Sequence, residues 1–107
     1  LRSTTSGEGM NILVKKHTTE GKLILTVCDA DMLGKVLEDN QARLEVSRSF
    51  FGGDIATPER ISVLGSQAHS ITAVGKETVA LLTEQGIVQK QNVKTVQNVP
   101  YAFVFIH

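Results

Sequence analysis

The chain has 107 residues, 41% of them hydrophobic and 21% charged, and its eleven acidic side chains balance its eleven basic ones. This length and composition predict one globular domain, and the zero net charge argues against a dedicated nucleic-acid or membrane binder unless a local basic patch outweighs the total. One cysteine allows no intrachain disulfide and no cysteine-rich zinc site, and no run of about 18 apolar residues is present to span a membrane.

The first residues differ in character from the rest of the chain. Residues 1–9 are polar and lack the apolar region of a signal peptide. The strand pattern begins after Met10, so we expect a disordered tail or an expression remnant over residues 1–9. Residues 10–107 then form a single domain. A lone thiol is typical of a reducing compartment, which predicts a cytoplasmic protein.

Two β-rich runs open the domain, over residues 11–17 and 22–29, and the four residues between them end in Gly21. A short connection that ends in glycine predicts a β-hairpin. The second run is apolar on both alternating faces, so we expect it to be covered on both sides of the sheet. The first run keeps Lys15 and His17, which indicates a more exposed strand.

A short helical turn and a third strand are predicted next. Asp29 or Asp31 is a suitable N-cap for a turn that runs through Leu33 and ends at Gly34. Residues 43–46 alternate between polar and apolar side chains, which is the pattern of a strand.

A first helix is predicted to begin after Thr57. Thr57 is a suitable N-cap, Pro58 fits the first helical position, and Glu59 lies near the positive end of the helix dipole. The apolar face of this helix is expected to consist of Ile61, Leu64 and Ala68.

A second helix is predicted over residues 72–85. Gly86 followed by Ile87 is the signature of a Schellman C-terminus, in which Ile87 contacts Leu82.

The chain closes with two more predicted strands, over residues 93–96 and 101–106, separated by residues 98–100. The last run is apolar on both faces, which predicts a central strand or an edge strand buried by a partner. The resulting order of elements is two strands, a turn and a third strand, then two helices, then two strands. It predicts an α+β fold with a mostly antiparallel sheet packed against two helices.

Cys28, Asp29 and Asp31 are the candidate residues for catalysis. Cys28 ends a strand just before a predicted helical start, where a nucleophilic thiol with a lowered pKa is found. The two neighbouring carboxylates have the opposite effect and raise a thiol pKa. A small buried hydrophobe is therefore the favoured role for Cys28, and an enzyme is the less favoured hypothesis.

The candidate binding segment is an aromatic pair before a diglycine corner, flanked by arginines: Phe50, Phe51, Gly52, Gly53, Arg43 and Arg48. The rings are suited to stacking on a base, and free backbone N–H groups at the next helix start are suited to a phosphate. The glycines are expected to form a flexible corner that allows positive φ. The alternative, which is favoured, is that both rings anchor the corner in the core.

The histidines at 17, 69 and 107 lack the spacing of metal ligands, so no metal site and no cofactor is predicted. Lys15, Lys16, His17 and Lys22 form a basic end on the first hairpin. Lysines on edge strands commonly protect a sheet from aggregation, and this role is favoured over anion binding.

A series of short segments is distributed over nearly all of the chain from Met10 onward. These are residues 26–29, 33–35, 44–47, 50–53, 86–88, 92–93 and 99–102. In order and spacing they resemble the archaeal family labelled domain of unknown function 424. The resemblance implies an archaeal, cytoplasmic, stand-alone domain and no established reaction. In that family a histidine usually follows the Val-Pro pair, where this chain has Tyr101, and a polar residue stands where it has Phe103.

Three hypotheses for function remain. The first is a non-catalytic binding module for RNA or a ribonucleoprotein, associated with translation, which uses the candidate binding segment and Tyr101. It requires at least one exposed Phe ring and a positive patch near it. The second is a domain that binds a protein partner or a second copy through residues 101–106. The third is a small enzyme built on Cys28.

Overall fold

The computed structural model describes residues 11–106, so the predictions for residues 1–9 and for the histidine at 107 lie outside the described residues. The strands are β1 Ile12–Thr19, β2 Lys22–Asp29, β3 Val36–Glu38, β4 Arg43–Glu45, β5 Asp54–Ile55, β6 Ser70–Val74, β7 Lys94–Val96 and β8 Val99–Phe105. The helices are α1 Arg48–Phe51, α2 Pro58–Gln67 and α3 Lys76–Glu84, and the 3₁₀ turns are Ala30–Met32 and Lys90–Asn92.

Six strands form one sheet in the order β5-β1-β2-β6-β8-β7. Only the central β2–β6 pair is parallel, and every other neighbouring pair in this sheet is antiparallel. The hairpin β3–β4 is separate from it. The predicted α+β fold with a mostly antiparallel sheet is therefore confirmed.

The first hairpin is confirmed, with a tighter turn than predicted. Thr19 pairs with Lys22, so only Glu20 and Gly21 form the connection. Both have positive φ, 52° and 76°, which is the backbone twist that two-residue hairpins need.

The prediction of a helix beginning at residue 72 is wrong, because Ser70–Val74 is strand β6. Three of its five residues are β-branched, which favours a strand. Gly75, with φ of 114°, then turns the chain into α3. The predicted order of elements, with two consecutive helices, is wrong for the same reason.

Both helix ends that the sequence predicts are confirmed. The backbone N–H of Arg60 donates to Thr57 Oγ1 over 3.2 Å at the start of α2. After α3, Ile87 N donates to Leu82 O over 2.9 Å and Gly86 N to Thr83 O over 3.1 Å, which is the Schellman pattern.

The two faces of the sheet are covered differently. Both α2 and α3 pack on one face, in a core whose largest members include Leu25, Ile61, Ile71 and Leu82. On the other face, α1 and the β3–β4 region cover a smaller core formed by Cys28, Val46, Phe51 and Val74. This second cover lies over one end of the face, so the remainder is left open.

Within one chain, the predicted coverage of the closing strand is wrong for one of its faces, and burial of this strand by a partner stays a prediction. Ala102 is 1% exposed, whereas Phe103 and Phe105 are 55% and 80% exposed on the opposite face. The strand is also longer than predicted, since its turn lies at Gln97 and Asn98 and residues 99 and 100 already pair with β7.

The middle of the chain is less regular than predicted. The turn after β2 is a 3₁₀ turn, Ala30–Met32, and the Asp29 side chain does not cap it. Gly34 has φ of 88° and ends this region. The predicted strand at residues 43–46 is the short β4, which pairs with β3 outside the main sheet.

None of the helices between residues 11 and 106 is long and apolar enough to cross a membrane.

Candidate functional site

Cys28 lies in the smaller core and is fully buried. Burial first, and then the charges of Asp29 and Asp31, raise the pKa of the Cys28 thiol to about 12. The thiol is therefore protonated near neutral pH and shielded from solvent, which is the opposite of an activated nucleophile. Its position is that of a small core hydrophobe.

Asp29, the next residue, caps a helix that is distant in sequence. Its carboxylate accepts hydrogen bonds from Thr78 N at 2.8 Å, Thr78 Oγ1 at 2.7 Å and Glu77 N at 3.2 Å. Gly75 leaves room for it, because a Cβ there would overlap the Asp29 carboxylate. The Asp29 carboxylate thus satisfies free N–H groups in the first turn of α3, whereas Asp31 is exposed.

The basic hairpin end holds α1 in place. Lys15 Nζ donates to Ser49 O over 2.7 Å, and Thr26 Oγ1 donates to Phe50 O over 2.7 Å. His17 Nε2 lies 2.9 Å from the same Phe50 oxygen and must carry the proton, because a carbonyl only accepts. Lys15 and His17 therefore have a structural role that the sequence did not reveal.

The two phenylalanines of α1 have different environments. Phe51 is 2% exposed in the smaller core, whereas Phe50 is 41% exposed. The Phe50 ring stacks on His17 with a centroid distance of 4.7 Å, and its other side faces outward. The expectation that both rings anchor the corner is wrong for Phe50.

Glycine is needed at the diglycine corner because other backbone atoms approach it closely, and not because the corner adopts positive φ. Gly52 has φ of −79°, and Gly53 is not among the residues with positive φ. A Cβ on Gly52 would overlap Arg48 O, and one on Gly53 would overlap Val14 O in β1. Neither position uses the positive φ that glycine allows.

Arg43 and Arg48 are exposed, but they lie on different elements. Arg43 is on β4, directly opposite Glu38 of β3, so its charge is partly balanced. Arg48 begins α1, and its side chain extends toward Gly34.

The open part of the sheet carries several exposed or half-buried side chains. We call it the open sheet face and define it by His17, Ile24, Ser70, Thr72, Phe103 and Phe105. The strand registers place His17, Ile24, Ser70 and Phe105 in one row across four strands, and Thr72 beside Phe103 in the next. Tyr101 borders it, half-buried, with its ring 5.9 Å from that of Phe103 in an edge-on contact.

The charged strand residues on the side of the sheet that contains the open sheet face are all positive. The alternation of side chains along the strands places Lys15, Lys22 and Lys94 on this side. Within the six strands of the sheet, all of which are described, no Asp or Glu points to this side. A protein with zero net charge thus has a face with three lysines and no carboxylate among its strand residues.

No group of three or more His, Cys, Asp or Glu side chains suited to a metal ion occurs among residues 11–106. His17 is in the α1 contact, and His69 precedes β6.

Comparison with known proteins assigns the chain to a family. A family model described as "Protein of unknown function (DUF424)" matches residues 17–106. The chain belongs to this DUF424 family. The predicted family resemblance is thereby confirmed.

The fold also occurs in a solved structure. The DUF424 chain is similar to an uncharacterized conserved protein from Methanopyrus kandleri, with a TM-score of 0.70 and 20% identity over 91% of this chain and 94% of that one. At this identity the likeness concerns the fold alone. None of the curated proteins matches the chain.

Only one edge of the open sheet face is predictable from the local sequence patterns. Phe50 and Tyr101 were candidates, but Phe103 and Phe105 were expected to be buried. The usable signal was the alternation in β8, where the aromatic residues 101, 103 and 105 share one face and the smaller residues 102 and 104 share the other.

Proposed function

We propose that this protein is a cytoplasmic, non-catalytic module that binds single-stranded RNA, alone or within a ribonucleoprotein, on the open sheet face. The observation that carries the proposal is the presentation of three exposed phenylalanine rings, Phe50, Phe103 and Phe105, on one side of the sheet. A rigid sheet that displays aromatic rings is a common platform for unpaired bases.

The spacing of the rings suits more than one base. Phe103 and Phe105 are two residues apart on one strand, so their attachment points are about 7 Å apart. Phe50 stacks on His17, which lies three strands away from Phe105 in the same row, or about 14 Å. Ser70 and Thr72, between them, provide hydroxyl groups that donate to and accept from base edges.

The charge distribution supports the same proposal. Lys22 and Lys94 are exposed on opposite parts of this side of the sheet. They are positioned to contact phosphates on either side of the rings, and Arg48 adds a third exposed cation on the same α1 helix as Phe50. The zero net charge of the whole chain does not weaken this argument, since the local distribution determines the contact.

The test is binding of a short fluorescent single-stranded RNA, measured by anisotropy over a series of salt concentrations. Stacking on an aromatic ring contributes about 1–3 kcal/mol per base, so Phe103→Ala should weaken binding roughly 5- to 150-fold. Three phosphate contacts should give a slope of about −2 for log K against log salt. Lys22→Gln should reduce the magnitude of that slope by about 0.7.

Val63→Ala is the matched control. Val63 is 55% exposed, as Phe103 is, but it lies on α2, away from the open sheet face. This variant should bind RNA as the wild type does. Equal losses in both variants, or no binding of the wild type at low salt, would rule out the proposed function.

A further inference from the structure

The edge of β8 is only partly covered by its neighbour. β7 pairs with residues 99–101 and with no others. Before Lys94 the chain no longer pairs with β8, since Lys90–Asn92 is a 3₁₀ turn that lies beside β8 and Val93 packs into the core on the helix side. Among residues 11–106, the last part of β8 is therefore an edge, although β8 is not the outermost strand of the sheet.

The hydrogen-bond pattern determines which residues direct their backbone groups toward this edge. Gly75 N donates to Pro100 O over 2.9 Å, and Ile106 N donates to His69 O over 2.8 Å. In an antiparallel pair the bonded positions alternate, so the even-numbered residues of this stretch are bonded to β6. The N–H and C=O groups of Phe103 and Phe105 consequently point outward, to the edge that β7 leaves free.

A groove borders this edge. Its volume is about 780 Å³, and its lining includes Phe103, Phe105, Gln89, Asn92 and Ile87. None of the described residues that line it is charged. A strand alongside β8 would place every second side chain over this groove.

We infer that this edge pairs with the same edge of a second copy of the chain, in a twofold-symmetric antiparallel arrangement centred on Val104. In this arrangement Phe103 of each copy lies opposite Phe105 of the other. Each such pair exchanges two backbone hydrogen bonds, so the interface has four, together with two cross-strand Phe–Phe contacts.

The chemistry of the edge supports a second copy as the partner. β8 has no charged side chain, so two copies meet without like-charge repulsion at the edge, and the net charge of the chain is zero. Edge strands usually carry charges that prevent such pairing. The twofold axis places each outward N–H group opposite an outward C=O group of the other copy. The assembly is complete with two copies.

The area indicates a weak dimer. At 55% and 80% exposure, the two rings of one copy present roughly 250 Å² of surface. Even with the backbone and groove added, the interface falls near or below the lower end of the range for specific complexes. We therefore expect association that depends on concentration and is populated at high protein concentration. This inference does not depend on the RNA proposal.

The first measurement is sedimentation velocity of the full chain without nucleic acid, over a wide concentration series. The wild type should shift from monomer to dimer. Phe105→Pro removes the outward N–H and leaves the bonds to β6 intact, because proline is tolerated on an edge. Phe105→Ala is the matched control, since it loses the same ring and keeps the N–H. The proline variant should dimerise at least tenfold more weakly than the alanine variant.

The second measurement is amide hydrogen exchange of the wild type at low and high concentration. The amides of Ala102 and Val104 should be protected at both concentrations, because they bond to β6. The amides of Phe103 and Phe105 should become protected only at high concentration. A monomer at every concentration, a dimer without protection of these two amides, or equal dimerisation of both variants would overturn the inference.

Discussion

Replacing Asp29 with alanine removes the acceptor of three hydrogen bonds at the start of α3. The carboxylate is 7% exposed, so the N–H groups of Glu77 and Thr78 and the Thr78 hydroxyl lose their partner in a largely dry site. A hydrogen bond to a charged group contributes about 1.5–3 kcal/mol, and these three share one acceptor, so they are not additive. We expect a loss of about 3–4 kcal/mol in the free energy of unfolding.

That loss is a large part of the total stability, which is about 5–15 kcal/mol for a domain of this size. Asp29→Asn keeps the oxygen that accepts from Thr78, but it loses the charge near the helix dipole and puts an NH2 group opposite Glu77 N. We expect about 1–2 kcal/mol for it. Urea unfolding followed by far-UV circular dichroism measures both values. Asp31→Ala is the control, because Asp31 is exposed, and it should change stability by less than about 0.5 kcal/mol. If Asp29→Ala lost less than about 1 kcal/mol, or no more than Asp31→Ala, the capping role would be refuted.

Two further predictions concern buried positions. Because the pKa of Cys28 is raised from 9.0 to about 12 when folded, the unfolded chain releases this proton first. Stability should therefore fall as pH rises from about 9 toward 12, by up to about 1.4 kcal/mol per pH unit, and Cys28→Ala should lack this component in urea unfolding. Gly53→Ala should destabilise the domain by about 2–3 kcal/mol in the same assay, because its Cβ would overlap the β1 backbone. Gly21→Ala meets no atom within 4 Å and should lose only about 1 kcal/mol from its positive φ, and equal losses would contradict the overlap argument.

Local signals predicted much of the fold. The hairpin β1–β2, the start of α2 and the end of α3 each depend on residues close together in the chain, such as Thr57 with Pro58 and Gly86 with Ile87. Strand β6 was missed because its short apolar run directly precedes a helix, and periodicity over so few residues does not separate the two. Gly75, with its positive φ, marks the boundary between them.

The candidate site was harder to predict, because its residues lie on four strands that are neighbours only in the folded sheet. Nothing in the sequence indicates that β6 lies between β2 and β8, which is the arrangement that places Ser70 and Thr72 among the rings. The apolar character of β8 was interpreted as burial on both faces. The second cover, formed by α1 and the β3–β4 region, does not extend over Phe103 and Phe105, so these side chains stay exposed. The Asp29 cap was missed for a similar reason, since its partner Thr78 is distant in the chain.

The parallel pair at the centre of the sheet also affects how the chain reaches this fold. β1 with β2, and β7 with β8, are joined by tight turns and can form as soon as each pair leaves the ribosome. β2 pairs with β6 through contacts such as Ile24 with Ser70, which are far apart in the chain. This pairing requires that the intervening helices and short strands have already been synthesised. Closing so long a loop lowers the conformational entropy of the chain before any contact compensates for it. Pairings between residues distant in the sequence therefore slow folding. The middle of the domain is therefore expected to be its last part to assemble.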